Sequence, residues 1–599
     1  MNDTLLDYYE QELTYIRQMG MEFAEKYPKI AGRLMLESGK SSDPHTERLI
    51  EAFAFISGRI HKKINDDFPD MTESLLSIIY PHYNNPIPSM TIAQFKPMMQ
   101  NVPETGYTIE RGVKLYTKAV NDTPCQFTTS QPIEIWPIEV TKAQLKDPEI
   151  RVKNAQHLLQ IQLKSINDIP FNTIEFKKLR FFLHGQHQHI FHLHELLFNN
   201  VCHIECVTKD KKNKSQTIVL TPEVEPVGFK EEEAILPMTK RAFPGYRLLM
   251  EYFSFPEKFL FFDLSGFDKL KKIETNDLLD IRIYFNRTAN RNLVVNKDTF
   301  CLNASPVVNL FSKTAEPIRV EQRKTQYQVI PDTRRRDAME VFSIDRISAI
   351  SEEHGDQIEY RPFYSIRHHL EETKSDHRNV FWHVQREVSG KNRDKGTEVF
   401  LSFSDLNLQP NSPGVDVLTV HTTCTNRDLP SRLPVGDKAG DFRIESAAPV
   451  EKITAILKPT TARRPFLGGS LQWRLISHLS LNYTSLVEGG EEALKEILML
   501  YDFDNSPSTR QQINGIISVK TEHVTKRIQQ SFCRGVKVII TLDEDKFVGV
   551  GLYLFAMVLE RFLAQYVSVN SFSQLVVKTL QKKEILNTWS PRSGNQILL

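Results

Sequence analysis

The hydrophobic repeat changes period between residues 80 and 90, and this change constrains the fold more than any other feature. Upstream, Tyr9, Leu13, Ile16, Gly20, Phe23 and Tyr27 recur at spacings of three and four, the signature of a helix with one apolar seam. Downstream of Thr91, short runs such as TIAQFKP, HLLQIQLKSI, KLRFFLHG and DIRIYF alternate, the signature of half-buried strands. Between them, Pro81, Pro86 and Pro88 punctuate the segment PHYNNPIPSM. Proline fixes its own backbone and withholds an amide, so neither repeat continues through it, and the segment is expected to be extended and stiff.

Prolines also mark the helices. The first is expected from about Leu5 to Tyr27, stopping before Pro28. The second starts with Asp43 as N-cap and Pro44 in the first turn, and presents Leu49, Phe53, Ile56, Ile60 and Ile64 on one face. The third starts at Asp70, with Glu73 three residues on, and ends at Tyr80–Pro81. These helices are short and offer little core of their own. The seam at Tyr9, Leu13, Ile16 and Phe23 and the face at Leu49, Phe53, Ile56 and Ile60 are therefore candidates for binding a partner. The alternative is that they pack only on one another.

A chain of 599 residues predicts roughly four domains. The expected fold class is multidomain α+β. It comprises a helical segment over 1–90, β-rich sandwich or barrel-like domains over 91–300 and 301–449, an α/β domain over 450–583 and an extended arm over 584–599. In the α/β domain, helices are expected at 469–480, 491–501 and 546–565, and strands at 536–542 and 571–578. The arm has no periodicity but carries Trp589, Pro591 and Arg592, which suggests an arm that docks; the alternative is a disordered terminus with one stray aromatic. The α/β domain, with its apolar helix at 546–565, is a candidate contact with neighbouring copies. The segment GYRLLMEYFSFPEKF at 245–259 is too dense in aromatics to stay exposed and is read as core.

Several function classes lack support. Net charge is +1, from 75 basic and 74 acidic side chains, so composition offers no bulk attraction for nucleic acid. The six cysteines are scattered without a CxxC pair, which suits a reducing compartment. Phe547–Leu559 is too short to span a bilayer, so no direct membrane insertion is expected. There is no phosphate loop, no GxGxxG and no GxSxG. His194–Glu195 opens like HExxH, but Phe198 stands where the second ligand belongs.

One constellation could carry chemistry: His184, His187, His189, His192 and His194. On strands joined by a turn, three of these imidazoles could gather around zinc or nickel. The alternative is a histidine-rich rim exposed to water. A metal-dependent protein and a ligand-binding β-sandwich are thus the two rivals to an assembly subunit, for which no catalytic residue and no cofactor is expected.

Longer stretches point to one family. DPHTERLIEAFAF at 43–55, FPDMTESLLSIIYPHYNNPIPSM at 68–90, GYRLLMEYFSFPEKFLFFDL at 245–264, SPVVNLF at 305–311, CTNRDLPSRLP at 424–434 and WSPRSG at 589–594 occur in order. With them the chain resembles the TssF (ImpG/VasA) family, baseplate wedge subunits of the bacterial type VI secretion system. Thr46 stands where an apolar residue is usual in the family, and Asn84–Asn85 replace an apolar–basic pair. The resemblance implies a non-enzymatic role in the cytoplasm, at a baseplate associated with the inner membrane. It implies TssG, TssK, a second TssF copy and neighbouring wedges as partners, with the VgrG spike and sheath-proximal components beyond them.

Overall fold

A computed structural model describes residues 5–32, 36–37, 40–41, 44–67, 69–98, 102–148, 152–210, 212, 214–221, 223–239, 242–289, 293–320, 324–350, 357–363, 380–389, 396–405, 417–465, 467, 475–476, 490–504, 506–528, 531–567, 571–581 and 585–594. The chain divides into two units, one built on Met1–Asn84 and the other on Asn85–Val384, Val388–Arg464 and Leu481–Leu599.

In the first unit, α1 (Leu5–Lys26) stops before Pro28, α2 (Pro44–Asp67) opens on its proline, and α3 (Pro69–Ile79) ends at Tyr80–Pro81. The helices α1 and α2 pack together through small residues. Ala54 is fully buried, and a Cβ added to Gly58 would sit 3.0 Å from the Tyr9 amide nitrogen. Ser57 Oγ donates to Glu12 Oε2 at 2.9 Å, and Tyr9 meets Phe55 edge to face at 6.5 Å. The proline segment is not wholly extended. Pro81–Asn84 forms one 3-10 turn, because a proline at the first position presets a helical φ.

The second unit begins with β1 (Met90–Pro97), which enters a closed six-stranded barrel. Its other strands are β2 (Lys114–Val120), β3 (Thr123–Thr129), β4 (Ala304–Val308), β5 (Phe442–Ile444) and β6 (Val450–Ala455), in the order β4-β1-β6-β5-β2-β3. Every pairing is antiparallel, for example Phe95 opposite Ile453 and Val307 opposite Thr129. Phe95, Leu115, Phe127 and Val307 fill the interior, and Phe127 meets Phe442 edge to face at 5.3 Å. The barrel draws strands from both sides of residues 300/301 and 449/450. These positions therefore fall within the span of one closed sheet, which a reading along the chain treats as separate stretches.

Two further antiparallel sheets lie between β3 and β4 in sequence. One has five strands over 138–285 and the other four strands over 178–301. A helix, α4 (His187–Asn199), interrupts the first, and α5 (Pro244–Ser254) precedes the strand Phe261–Ser265. A larger sheet built from 311–425 has its own core around Trp382, Leu401, Leu418 and Val420.

The C-terminal part is α/β. Helices α6 (Gly490–Met499) and α7 (Pro507–Asn514) precede a hairpin of β7 (Ile516–Ile528) and β8 (Ser531–Leu542). Strand β8 runs parallel to β9 (Ser571–Thr579), and α8 (Leu552–Gln565) makes the crossover that parallel pairing requires. At Gly535 only glycine fits, since a Cβ would lie 2.5 Å from the Phe572 ring. Outside the described residues lies the helix expected at 469–480, save for 475–476.

Candidate assembly interface

The histidine cluster does not form the expected strand pair. Residues 187–199 are the helix α4, because Ile190, Phe191, Leu193, Leu196 and Leu197 supply a buried face at helical spacing. A helix turns about 100° per residue. Thus His189 and His192 point away from the face shared by His187 and His194. His187 is exposed, 3.7 Å from Glu257. His194 is fully buried against Phe198 and Tyr553, and burial pushes its pKa down to about 3. Among the described residues no three His, Cys, Asp or Glu side chains are grouped to hold a metal ion.

The aromatic segment is core. Every residue of α5 from Gly245 to Ser254 is buried, as are Phe255 and Phe259. Tyr246 Oη accepts a hydrogen bond from Tyr566 Oη at 2.9 Å, which ties α5 to the end of α8. Helix α8 is buried on nearly all sides, including Tyr553, Phe555, Leu559, Phe562 and Leu563. It packs between α4, α5 and β9. Among the described residues no helix is long and apolar enough to cross a membrane.

Within this core sits a charged cluster that sequence reasoning missed. Glu251 is fully buried and accepts from the amides of Ile235 (2.9 Å) and Leu236 (3.1 Å). Its other oxygen faces Arg247 Nη1 at 3.3 Å and the ammonium of Lys258, which is also fully buried. Burial is the main force on Lys258 and lowers its pKa to about 8, while Glu251 opposes that shift. Nearby, Glu233 accepts from the amides of Gly228 (2.7 Å) and Lys230 (3.1 Å). Glu251 thus fastens the loop 228–236 to α5, while Glu233 ties the loop to itself. The signal in the sequence was the pair Glu251 and Lys258 inside an aromatic run, where charge has no place unless paired.

The arm docks on its own chain. Strand β10 (Ile585–Thr588) and β11 (Arg592–Ser593) pair antiparallel with β9. The Trp589 ring stacks on Tyr553 at 5.6 Å, and Arg592 Nε donates to Glu560 Oε1 at 2.7 Å. Pro591 separates these two contacts.

The helical seam divides in two. On α1, Tyr9, Leu13 and Ile16 are half-buried, and Tyr9 already lies on α2; Phe23 is more open and packs on Tyr27 at 5.2 Å. On α2, the apolar row is left uncovered. Leu49 is 71% exposed, Phe53 67%, Ile56 55% and Ile60 53%. The row sits roughly a third of a turn from the small face of Ala54, Ser57 and Gly58 that holds α1. The side chain of Ile64 lies outside the described residues. Four large apolar side chains in one helical row form a contiguous patch of the kind that marks an interaction site.

Comparison with known proteins agrees with this architecture. The family model "Type VI secretion system, TssF" matches residues 1–596. The type VI secretion system component TssF1 of Pseudomonas aeruginosa is 35% identical over 627 aligned residues, covering 100% of both chains. A chain of the TssK-TssF-TssG baseplate subcomplex of a type VI secretion system, seen by cryo-electron microscopy, superposes with a TM-score of 0.73 at 26% identity. That match covers 92% of this chain and 100% of the other. A chain of the baseplate complex from the type VI secretion system has a TM-score of 0.60 at 22% identity, over 99% of this chain and 100% of that one, and shares the fold. With the family model and a relative of full length both in agreement, this chain belongs to the TssF family of the type VI secretion system.

Proposed function

We propose that this chain acts by assembly and not by catalysis, as a wedge subunit of the type VI secretion baseplate that binds TssG and TssK. The uncovered row of Leu49, Phe53, Ile56 and Ile60 carries the reading. Once α1 occupies the small face of α2, the large face has no partner of sufficient size among the described residues of its own unit. A second helix, from TssG or from another TssF copy, would bury that row in the manner of a helical bundle. Tyr9, Leu13, Ile16 and Phe23 would border the contact and hold α2 in place. The match to a chain of a TssK-TssF-TssG subcomplex supports the same partners. Contacts with neighbouring wedges, the VgrG spike and sheath-proximal components, and a place in the cytoplasm at the inner membrane, extend this reading through the family.

The test is co-purification. Phe53→Glu combined with Ile56→Glu should abolish capture of TssG by the tagged full chain, while circular dichroism stays unchanged. Both side chains are exposed, so the free chain loses no packing. Retention of TssG by this variant would refute the row as the TssG contact. Leu13→Glu with Ile16→Glu gives a distinguishable outcome, a loss of helical signal, because those half-buried positions lie on the helix that packs against α2.

A further inference from the structure

The hairpin of β7 and β8 has features that the helical interface does not use. Strand β7 is at the end of its sheet, and among the described residues its backbone pairs with β8 alone. Helices α6 and α7 pack against β7, and beyond the register shift at Ile516/Ser518 its far edge offers a row of amides and carbonyls with no strand partner among the described residues. The hairpin is also charged out of proportion to the chain. Residues 516–542 hold Lys520, Lys526, Arg527, Arg534 and Lys537 against Glu522, a net +4 where the whole chain carries +1. Lys537 pairs with Glu522 at 3.0 Å, and Lys526 donates to Gln574 at 2.6 Å. Lys520, Arg527 and Arg534 are exposed and have no ion-pair partner among the described residues. At the tip, Phe532 stands 78% exposed directly opposite Arg527, with Arg534 two residues along the same face.

We infer that the open edge of β7 receives an extended acidic segment of a partner protein, added as a further strand. Backbone pairing along the edge supplies affinity without sequence demand, and the free cations select for carboxylates. Phe532 gives the arriving strand one apolar anchor at the tip. A second copy of β7 is a poor occupant. Antiparallel self-pairing centred on His523 would set Lys520 opposite Lys526, and like charges directly opposite are destabilising. An anionic lipid surface or a nucleic acid would meet the charge but leave the edge amides unused.

The experiment uses the full chain and a fluorescent peptide of alternating glutamate and valine, read by anisotropy. Saturable binding is expected. It should weaken roughly tenfold or more in Lys520→Glu/Arg527→Glu/Arg534→Glu, and also when proline replaces the central valine of the probe. Phe53→Glu should leave it unchanged, so failure here and failure of the helical interface are separate results. The inference is overturned if the acidic probe does not bind, if a lysine–valine probe binds equally, or if the proline probe binds as well as its parent. Capture by phosphatidylglycerol vesicles, lost in Phe532→Ser, with no peptide binding would assign the tip to a membrane and overturn it too.

Discussion

Replacing Glu251 by glutamine should loosen the loop 228–236 more than any other single isosteric change in the β-rich part. The substitution keeps the volume and removes one charge. Lys258, with no exposed surface, and Arg247, nearly so, then lose their counter-charge. Removing one member of a buried pair typically costs about 3–5 kcal/mol, since the remaining ion is neither solvated nor neutralised. Part of that cost is relieved by deprotonation. Lys258 already has its pKa lowered to about 8 by burial with Glu251 opposing, so without the carboxylate it falls further and the amine goes neutral at pH 7. The amides of Ile235 and Leu236 report directly, because Glu251 Oε1 accepts from both. Hydrogen exchange of the peptide spanning 228–236 should speed up on the order of a hundred-fold or more in Glu251→Gln. Adding Lys258→Met should restore much of the protection, because the buried ion has then been removed along with its partner. An exchange rate within about threefold of the parent, or additive effects in the double variant, would refute the argument.

Three further outcomes follow from other contacts. His194 is held neutral by burial, with a pKa lowered to about 3 against an unfolded value near 6.5. The unfolded state thus binds more protons between those values, so stability should be full above about pH 6.5 and fall progressively toward pH 3. Urea unfolding of His194→Leu should lose less stability than the parent between pH 7 and pH 4, and parallel curves would count against a neutral buried imidazole. Gly58→Ala should push α1 off α2 at a cost of about 1–3 kcal/mol, exceeding the intrinsic helix gain of about 1 kcal/mol, because the new methyl meets backbone atoms at 3.0–3.2 Å. Limited proteolysis within residues 5–67 would detect it as faster cleavage. Trp589→Ala should loosen β10 by removing the stack on Tyr553, at about 1–2 kcal/mol for a partly buried ring, and shorten the lifetime of the C-terminal fragment against carboxypeptidase. Unchanged digestion would mean that strand pairing with β9 and the Arg592–Glu560 pair hold the arm without the stack.

Much of the fold was legible because local rules act over a few residues. Pro28, Pro44 and Pro81 set helix limits to within a residue or two, and the buried run VKVIITL lay within the parallel strand β8. In the turn between the strands Val201–Lys209 and Ser215–Leu220, Asp210 Oδ1 accepts from the amides of Lys212 and Lys214 at 2.8 Å, the short-range capping that a polar turn sequence provides. The helix α4 was misread because histidine at alternate positions resembles a strand, although Ile190, Leu193 and Leu197 already carried the longer period. The long helix expected from residue 546 starts instead at Leu552, after a 3-10 turn over Glu544–Phe547, since Gly549 and Gly551 break the pattern.

What the sequence determined by itself was therefore the kind of element at most positions, the burial of the aromatic segment at 245–259, and membership of a family through motifs spread along the chain. Only the tertiary structure decided which elements meet. The barrel closes by pairing Phe95 with Ile453 across more than three hundred residues of chain, and no local pattern specifies that partner. The two faces of α2 differ in sequence, one small and one large and apolar, yet sequence does not say which of them the chain itself covers. Small residues at Ala54 and Gly58 let α1 approach closely on one face, and only that choice leaves Leu49, Phe53, Ile56 and Ile60 open to another molecule. Periodicity records that a surface must be covered. Steric fit, which depends on residues far apart in the chain, selects what covers it.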